Sequence, residues 1–301
     1  MKPLKILLLG KNGQVGWELQ RSLAPLGELI ALDSQSLDFC GDFTNLAGLA
    51  QTIQSIAPDV IVNAAAHTAV DKGESEPELA RTINAFAPRV LAEEAKKIGA
   101  WLVHFSTDYV FDGGGNTPRL ETDAPAPLSV YGQTKLDGEN AIIASGCQYL
   151  IFRTSWVYAA RGGNFAKTML KLAQERDALK VINDQIGAPT GADLLADVTA
   201  HAIRTATLQA EVSGLYHLVA CGETSWHGYA NYVIDFARQA GVNVKVAPEA
   251  IQAVPTSAFP TAARRPLNSR LDTTKLQNTF KIKLPHWQSG VARMLVEILE
   301  K

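Results

Sequence analysis

The sequence lacks paired cysteines, long apolar runs and any strong charge imbalance. Its 301 residues include only Cys40, Cys147 and Cys221, without a Cys-x-x-Cys spacing, which argues against a disulfide framework or a cysteine metal site. No stretch approaches the roughly 20 apolar residues of a membrane span, and the apolar run near the start has no cleavage-site pattern. A net charge of −2 predicts neither a nucleic-acid nor a membrane partner. We therefore expect a cytoplasmic protein with reduced thiols.

Apolar runs alternate with helix-like segments along the first half of the chain. The runs at 5–10, 29–33, 59–65, 101–107 and 149–156 have the composition of buried strands. Helical spacing lies between them, near 14–24, 44–56, 77–98 and 131–145. Uniformly apolar strands separated by helices indicate a parallel sheet covered on both faces. The sequence thus predicts an α/β fold with a doubly wound, Rossmann-like parallel sheet.

Glycines mark the turn after the first apolar run. Gly10, Gly13 and Gly16 stand where strand one leads into helix one, and glycines there let a backbone approach a pyrophosphate. The spacing is G-x-x-G-x-x-G, not the dinucleotide-binding G-x-G-x-x-G, and a glycine turn without a ligand is the alternative. Asp33 ends strand two, where a carboxylate binds ribose hydroxyls and favours NADH over NADPH. Nearby Lys11 could offset that preference.

After residue 157, apolar runs and helix-like segments alternate less regularly in the sequence. We expect residues 1–157 to form an NAD(P)-binding Rossmann domain, with a contribution from about 178–206. Residues 158–301 would form mainly a smaller C-terminal substrate-binding lobe, interleaved with the first unit. The proline-rich segment 248–268 predicts an ordered loop, and a final helix is expected near 287–299.

The stretch VYGQTKLDGEN, residues 130–140, pairs a tyrosine with a lysine four residues later. Ketone reduction needs a hydride and a proton, and an ammonium beside a tyrosine lowers the pKa of the phenol. Tyr131 and Lys135 would form such a pair, with Ser106 and Thr107 facing them from the end of strand four. The alternative is an ordinary surface pair on a helix. Glu139, one turn on, is predicted to face solvent.

These motifs together resemble the nucleotide-sugar-modifying, extended branch of the short-chain dehydrogenase/reductase superfamily, and within it the dTDP-4-dehydrorhamnose reductase family. The resemblance is carried by GKNGQVGWELQ, STDYVFDG, VYGQTKLDGE, NDQIGAPT and ARRPLNSRLDT, spread over residues 10 to about 273. It implies NADH- or NADPH-dependent reduction of the C4 ketone of dTDP-4-dehydro-β-L-rhamnose to dTDP-β-L-rhamnose, a rhamnose donor.

The resemblance also implies the residues of the site. Thr107 would orient the ketone, Tyr131 would donate the proton, and Lys135 would lower the pKa of Tyr131 and hold the ribose. The implied cofactor-binding residues are Gly10, Asn12, Gly13, Gln14, Val15, Gly16, Asp33, Asp42, Phe43, Ala64, Ala65, Ala66, Thr68, Tyr131 and Lys135. The implied substrate-binding residues are Val70, Thr107, Asp108, Tyr131, Trp156, Asn164, Arg264 and Arg265.

Several of these assignments have a structural alternative. Asp42 suits a plain loop or cap, Trp156 suits a core aromatic, and Asn164 suits a helix cap. The forked guanidinium groups of Arg264 and Arg265 match a diphosphate, but at least one of the two arginines is expected only to form salt bridges.

For part of the family the resemblance implies Mg²⁺ bound by acidic side chains at a subunit interface, and hence a homodimer. Asp193, Glu297 and Glu300 are the candidate ligands here. Their separated carboxylates form no metal-binding motif by themselves.

Another sugar-nucleotide 4-ketoreductase of the same superfamily is one alternative, and other functions on this fold also remain open. A sugar-nucleotide epimerase would retain its NAD, and a 4,6-dehydratase would be expected to show Thr-Asp-Glu where this chain has Thr107-Asp108-Tyr109. A non-catalytic regulatory subunit, such as the β-subunit of methionine adenosyltransferase, is the alternative from another class.

Overall fold

The computed structural model describes residues 3–299, and a six-stranded sheet runs through its centre. The strands along the chain are β1 (Leu4–Leu9), β2 (Gly27–Leu32), β3 (Val60–Asn63), β4 (Trp101–Thr107), β5 (Gln148–Thr154), β6 (Val157–Tyr158), β7 (Leu179–Ile182), β8 (Ile186–Gly187), β9 (Thr190–Gly191), β10 (Gly214–His217), β11 (Thr224–Ser225) and β12 (Ile251–Val254). The central sheet has the order β10-β5-β4-β3-β1-β2, and each neighbouring pair is parallel. The predicted parallel sheet is therefore confirmed in β1 to β5, while β10 is an additional strand.

Helices cover both faces of this sheet. They are α1 (Gln14–Leu23), α2 (Leu46–Ile56), α3 (Val70–Ser75), α4 (Pro77–Arg81), α5 (Ala87–Ile98), α6 (Val130–Ser145), α7 (Phe165–Glu175), α8 (Ala192–Ala206), α9 (Trp226–Gln239), α10 (Thr274–Phe280) and α11 (Trp287–Leu299). Side chains of α1, α8 and α10 share one apolar core with the sheet, and those of α2, α5 and α6 share another. The doubly wound arrangement is thus confirmed. Within residues 3–299, no helix combines the length and apolarity needed to cross a membrane.

A second group of helices has apolar cores of its own. Helices α7, α9 and α11 contribute to these cores, which include the large aromatic side chains Tyr229 and Trp287. Short two-stranded sheets, β6-β9, β7-β12 and β8-β11, lie outside the central sheet. The domain boundary at residue 157 stays a prediction. Strand β10 and helix α8 follow this residue in the chain, but β10 belongs to the central sheet and α8 packs against that sheet.

Two segments show why local pattern does not decide strand partners. The run LKVIND at 179–184 contains β7 (Leu179–Ile182), which pairs with β12 and not with the central sheet. The segment 248–268, predicted as a loop, contains β12. Its prolines at 248 and 255 flank this strand without interrupting its hydrogen bonds.

A buried ion pair joins α6 to the central sheet. Arg153 on β5 donates from Nε and Nη2 to the two carboxylate oxygens of Glu139, at 2.9 and 2.6 Å, and both side chains are almost fully buried. The guanidinium carbon also lies 5.0 Å from the centre of the Phe111 ring. The prediction that Glu139 faces solvent is therefore wrong. Its side chain lies inside because α6 packs against both the sheet and α5.

Replacing Glu139 by glutamine should strongly destabilise the fold, because Arg153 would keep a buried charge without a counterion. We expect Glu139→Gln to lower the free energy of unfolding by about 3–5 kcal/mol in urea titrations. The matched control is Glu93→Gln, whose partner Arg89 lies 3.7 Å away at the exposed surface. There the change should stay within about 1 kcal/mol. Equal losses in the two variants would contradict the buried-pair interpretation.

Candidate active site

A cleft of about 380 Å³ lies at the carboxyl ends of β3, β4 and β5, between the starts of α1 and α6. This edge is where open α/β sheets bind their ligands. The structure brings many of the expected site residues together around it: Gly13, Gln14, Val15, Ala64, Ala66, Thr68, Val70, Thr107, Asp108, Tyr131, Lys135 and Trp156.

The glycine turn forms one wall of the cleft. Gly10 has a φ of +89°, and a Cβ there would lie 2.7 Å from the nitrogen of Ala65. A Cβ on Gly16 would lie 2.0 Å from the carbonyl oxygen of Gly10, so these two glycines allow α1 to approach the strand ends closely. At Gly13 a Cβ would come no nearer than 3.5 Å to another atom. Gly13 precedes α1 without a side-chain cap, which leaves the helix start suited to an anion.

Asp33 is held beside this turn by its neighbours. Its Oδ1 accepts from the Gln35 backbone nitrogen and the Ser36 hydroxyl, both at 3.0 Å. Its Oδ2 accepts from the Asn12 side chain and lies 4.0 Å from Lys11 Nζ. The carboxylate that would disfavour a 2′-phosphate and the lysine that could offset it are therefore adjacent.

Helix α6 carries Tyr131 and Lys135 into the cleft. Ser129 caps the helix, with its hydroxyl accepting from the Gly132 nitrogen at 3.2 Å. A Cβ on Gly132 would lie 2.2 Å from the carbonyl oxygen of Tyr109, so this glycine lets the helix start pack against the turn after β4. Tyr131 therefore lies in the first turn, where the helix dipole favours negative charge.

Burial changes the pKa of Tyr131, Lys135 and Asp108 in the cleft. It raises the pKa of Tyr131 to about 12, opposed by a hydrogen bond with Thr107. It lowers the pKa of Lys135 to about 8, opposed by the charge of Glu139. It also raises the pKa of Asp108 to about 6. The cleft thus contains a protonated phenol, an amine that titrates near pH 8 and a carboxyl that ionises near pH 6.

Three hydroxyls at this edge of the sheet are buried without a partner. Within residues 3–299, the side-chain oxygens of Ser106, Thr154 and Ser155 make no hydrogen bond, and all three residues line the cleft. Buried polar atoms are normally paired, so these hydroxyls fit a polar ligand. The sequence indicated Ser106 at this edge but not Thr154 or Ser155, although both lie near the end of the fifth apolar run.

Trp156 has an unusual backbone conformation at the rim of the cleft. Its φ is +49°, which is strained for a tryptophan and typical of functional sites. The indole stacks on that of Trp226, with ring centres 3.7 Å apart. Trp226 and Arg265 line an adjacent cavity of about 250 Å³, and Tyr109 lines both cavities. The sequence did not indicate Trp226, which follows Trp156 by 70 positions and lies in another element.

The two candidate arginines differ in their surroundings. Arg265 lies at the adjacent cavity and donates from Nη2 to Asp71 Oδ2 at 2.7 Å. Arg264 is exposed. Arg265 therefore forms an ion pair and also lines a cavity.

Three other candidates make local contacts and do not line the cleft. Asp42 accepts from the backbone and hydroxyl of Thr44, in a turn. Phe43 packs into the core under β1 and β2. Asn164 accepts from the Lys167 nitrogen and caps α7, which agrees with the structural alternative for that residue.

The structure gives no support to the expected Mg²⁺. Asp193 forms an ion pair with Arg293 at 2.9 Å. Asp193 and Glu297 line one small cavity, and Glu300 lies outside the described residues. Between residues 3 and 299, no group of three or more histidines, cysteines and carboxylates is placed to hold a metal ion.

Known proteins match this chain over nearly its whole length. The family model described as RmlD substrate binding domain matches residues 4–300. A dTDP-4-dehydrorhamnose reductase of Shigella flexneri is 63% identical over 295 residues, covering 98% of each chain. The chain belongs to the dTDP-4-dehydrorhamnose reductase family.

Solved structures of proteins with this family name have the same fold. That from Clostridium acetobutylicum is 37% identical, with a TM-score of 0.86 over 99% of this chain and 100% of its own. That from Bacillus anthracis, in complex with NADP, is 34% identical, with a TM-score of 0.85 over 98% and 99%. The family resemblance and the fold class predicted from the sequence are confirmed.

Asp108→Asn should stabilise the protein in a pH-dependent way. The pKa of Asp108 is raised to about 6 in the fold. Between about pH 4 and pH 6 the carboxyl is therefore ionised in the unfolded chain but still protonated in the folded one, so the wild type loses stability as pH rises through this range. The free energy of unfolding of Asp108→Asn, minus that of the wild type, should grow by up to about 3 kcal/mol between pH 4 and pH 7.

Urea titrations at several pH values measure this difference. Asp38→Asn, at an exposed position, is the matched control and should show no such growth. A constant difference for Asp108→Asn would contradict the raised pKa.

Proposed function

We propose that this protein is an NAD(P)H-dependent reductase that converts dTDP-4-dehydro-β-L-rhamnose to dTDP-β-L-rhamnose, in the cytoplasm. The observation that carries the proposal is the convergence of Thr107, Tyr131 and Lys135 with the glycine turn in one cleft. The names of the closely similar relatives support the substrate. A homodimer stays a prediction.

The glycine turn and the strand ends would hold the dinucleotide. Amides at the start of α1, next to Gly13, would bind the pyrophosphate, and Asp33 would accept from ribose hydroxyls. The small side chains of Ala64 and Ala66 leave room over β3. When bound, the reduced nicotinamide supplies the hydride.

The cleft residues would supply the proton and orient the ketone. Tyr131, protonated over the whole physiological range because burial raises its pKa, would donate to the C4 oxygen. Thr107 would hydrogen-bond the same oxygen, and the unpaired hydroxyls of Ser106, Thr154 and Ser155 would meet the polar ligand. Protonated Lys135 would stabilise the phenolate left on Tyr131.

The sugar nucleotide would extend from the cleft into the adjacent cavity. Val70, Asp108 and Trp156 line the same cleft as Tyr131, and the indole of Trp156 could cover a sugar face. Between the two arginines we assign the diphosphate to Arg265, because Arg265 lines the adjacent cavity while Arg264 is exposed.

The direct test is to mix the protein with dTDP-4-dehydro-β-L-rhamnose and either NADH or NADPH, and to follow the absorbance of the reduced cofactor. Oxidation with one or both cofactors is expected. Oxidation only with another 4-keto sugar nucleotide would overturn the substrate. Purified protein that carries stoichiometric NAD, not released by substrate, would instead indicate an epimerase.

Tyr131→Phe should lower turnover by about 10²- to 10⁴-fold, because it removes the proton donor. The dissociation constant of NADH, measured by fluorescence titration, should change little. Tyr149→Phe is the matched control, since Tyr149 lies on β5 away from the cleft. Turnover of Tyr131→Phe equal to that of the control would refute the assignment.

Gly13→Ala should weaken NADH and NADPH binding without destabilising the fold. The added methyl has room within the protein, since its nearest neighbouring atom would be 3.5 Å away, but it would obstruct the approach of a pyrophosphate to the helix start. We expect at least about a tenfold rise in Kd, or roughly 1.4 kcal/mol. Gly163→Ala, where a Cβ would meet nothing within 4 Å, should leave both Kd and melting temperature unchanged. Unaltered affinity in Gly13→Ala would reject this binding site.

A further inference from the structure

Lys135 takes part in a buried chain of hydrogen bonds beneath the cleft. Its Nζ donates to the carbonyl oxygen of Phe105 at 2.6 Å and lies 3.0 Å from His104 Nε2. On the other side of the imidazole, His104 Nδ1 lies 2.9 Å from the side-chain nitrogen of Asn63. Neither His104 nor Asn63 lines the cleft, and the proposed reaction gives them no role.

The orientation of Asn63 fixes which nitrogen of His104 carries a proton. The backbone nitrogen of Ala65 donates to Asn63 Oδ1 at 3.0 Å. Because a backbone amide can only donate, the oxygen of the carboxamide must face Ala65 and its NH₂ group must face His104. His104 Nδ1 therefore accepts a hydrogen bond and has no proton. A neutral imidazole has one N–H, which must then be on Nε2.

That proton position constrains Lys135. His104 is 1% exposed, and burial together with the nearby Lys135 keeps the pKa of His104 well below its ordinary value, so the imidazole is neutral. Its Nε2–H points at Lys135 Nζ, which must accept through a lone pair. An amine has that lone pair and an ammonium does not. The complete chain therefore runs from Asn63 through His104 to a neutral Lys135, which donates in turn to Phe105.

We propose that Asn63 and His104 are positioning residues that couple the charge of Lys135 to the tautomer of His104. With Lys135 neutral, His104 is the Nε2–H tautomer and all hydrogen bonds are made. When Lys135 takes up a proton, its ammonium donates to His104 Nε2, the imidazole proton moves to Nδ1, and the Asn63–His104 bond is lost. The functional meaning of this switch rests on the function proposed above, in which protonated Lys135 stabilises the Tyr131 phenolate.

The surroundings of Lys135 are consistent with such a switch. Its Nζ is buried, and the pKa of Lys135 is lowered to about 8 by that burial, which places both charge states within reach of a working enzyme. The charged and titratable groups around it from the elements packed there are Tyr131 and Glu139 on α6, His104 on β4, Asp108 after β4, and Arg153 on β5, which pairs with Glu139.

The first test uses the unmodified protein. ¹⁵N NMR of labelled histidine separates protonated from unprotonated ring nitrogens, and ¹³C NMR of labelled lysine follows the charge of Lys135; His104→Gln and Lys135→Met assign the two signals. We expect His104 to be the Nε2–H tautomer at high pH and to change to Nδ1–H with the same midpoint as Lys135. His217 is the internal control, since the lowering of its pKa to about 3 keeps it neutral throughout. A single His104 tautomer across the titration of Lys135 would overturn the proposal.

The second test changes the partner of His104. In Asn63→Asp the carboxylate can still accept from Ala65 but also accepts from His104 Nδ1–H, which frees Nε2 to accept from the ammonium. We expect His104 to be Nδ1–H at every pH and the midpoint of Lys135 to rise by at least about one unit, a tenfold change in its protonation constant.

The new charge of Asn63→Asp also raises this midpoint directly, so the same change is made in the His104→Gln background. A shift that is clearly larger with His104 present supports the coupling. Equal shifts in the two backgrounds would mean that the charge alone acts and would contradict it.

A kinetic test links the switch to the reaction. In single-turnover experiments with saturating NADH, hydride transfer should fall as pH rises through the Lys135 midpoint, and Asn63→Asp should move this limb upward with that midpoint. If the pH at which the hydride-transfer rate falls stays the same in Asn63→Asp while the NMR midpoint of Lys135 moves, the functional coupling is refuted. The NMR titrations need no substrate, so failure to reduce the sugar nucleotide rejects the proposed function, and an absent tautomer change rejects this inference.

Discussion

The burial of one amine, that of Lys135, is the constraint on which the candidate site depends. A cation removed from water is unfavourable unless nearby groups compensate for its lost hydration. Here the carbonyl of Phe105, the ring of His104 and the charge of Glu139 surround it. Glu139 in turn needs Arg153, with which it forms a two-bond pair inside the fold. The side chain that would assist proton transfer is thus supported by polar groups from α6, β4 and β5.

Close helix packing makes that support possible. A Cβ on Gly132 would lie 2.2 Å from the carbonyl oxygen of Tyr109, and a Cβ on Gly138 would lie 2.2 Å from that of Asn84. Both distances are collisions. Asn84 belongs to the π-helical stretch Thr82–Phe86 between α4 and α5, and such a stretch is often found near functional sites. The two glycines therefore set the depth of α6, and this depth brings both Tyr131 and the buried Lys135 to the cleft.

Position in the parallel sheet explains which site residues were predictable. The ends of β1, β3 and β4 follow apolar runs in the sequence, so the glycine turn, Ala64, Ala66 and Thr107 can be assigned to one edge of the sheet from the order of residues alone. Trp226 and Arg265 come from segments whose neighbours in space are set by the packing of α9 and of the 248–268 segment. No periodicity in their own segments indicates a cleft. The same limit applies to β10, whose four residues join the central sheet only because β5 offers a free edge.

The sequence by itself determined the alternation of strands and helices, the parallel sheet and the order of the glycine turn, threonine, tyrosine and lysine. These features follow from local rules, namely hydrophobic periodicity, backbone freedom at glycine and the i, i+4 spacing of a helix. Tertiary structure alone decided the environment of each group: that Glu139 is buried with Arg153, that Asp33 is held by Asn12, and that Asn63 and His104 meet Lys135. Burial and hydrogen-bond partners arise between segments far apart in the chain, and these contacts set protonation states that spacing cannot reveal.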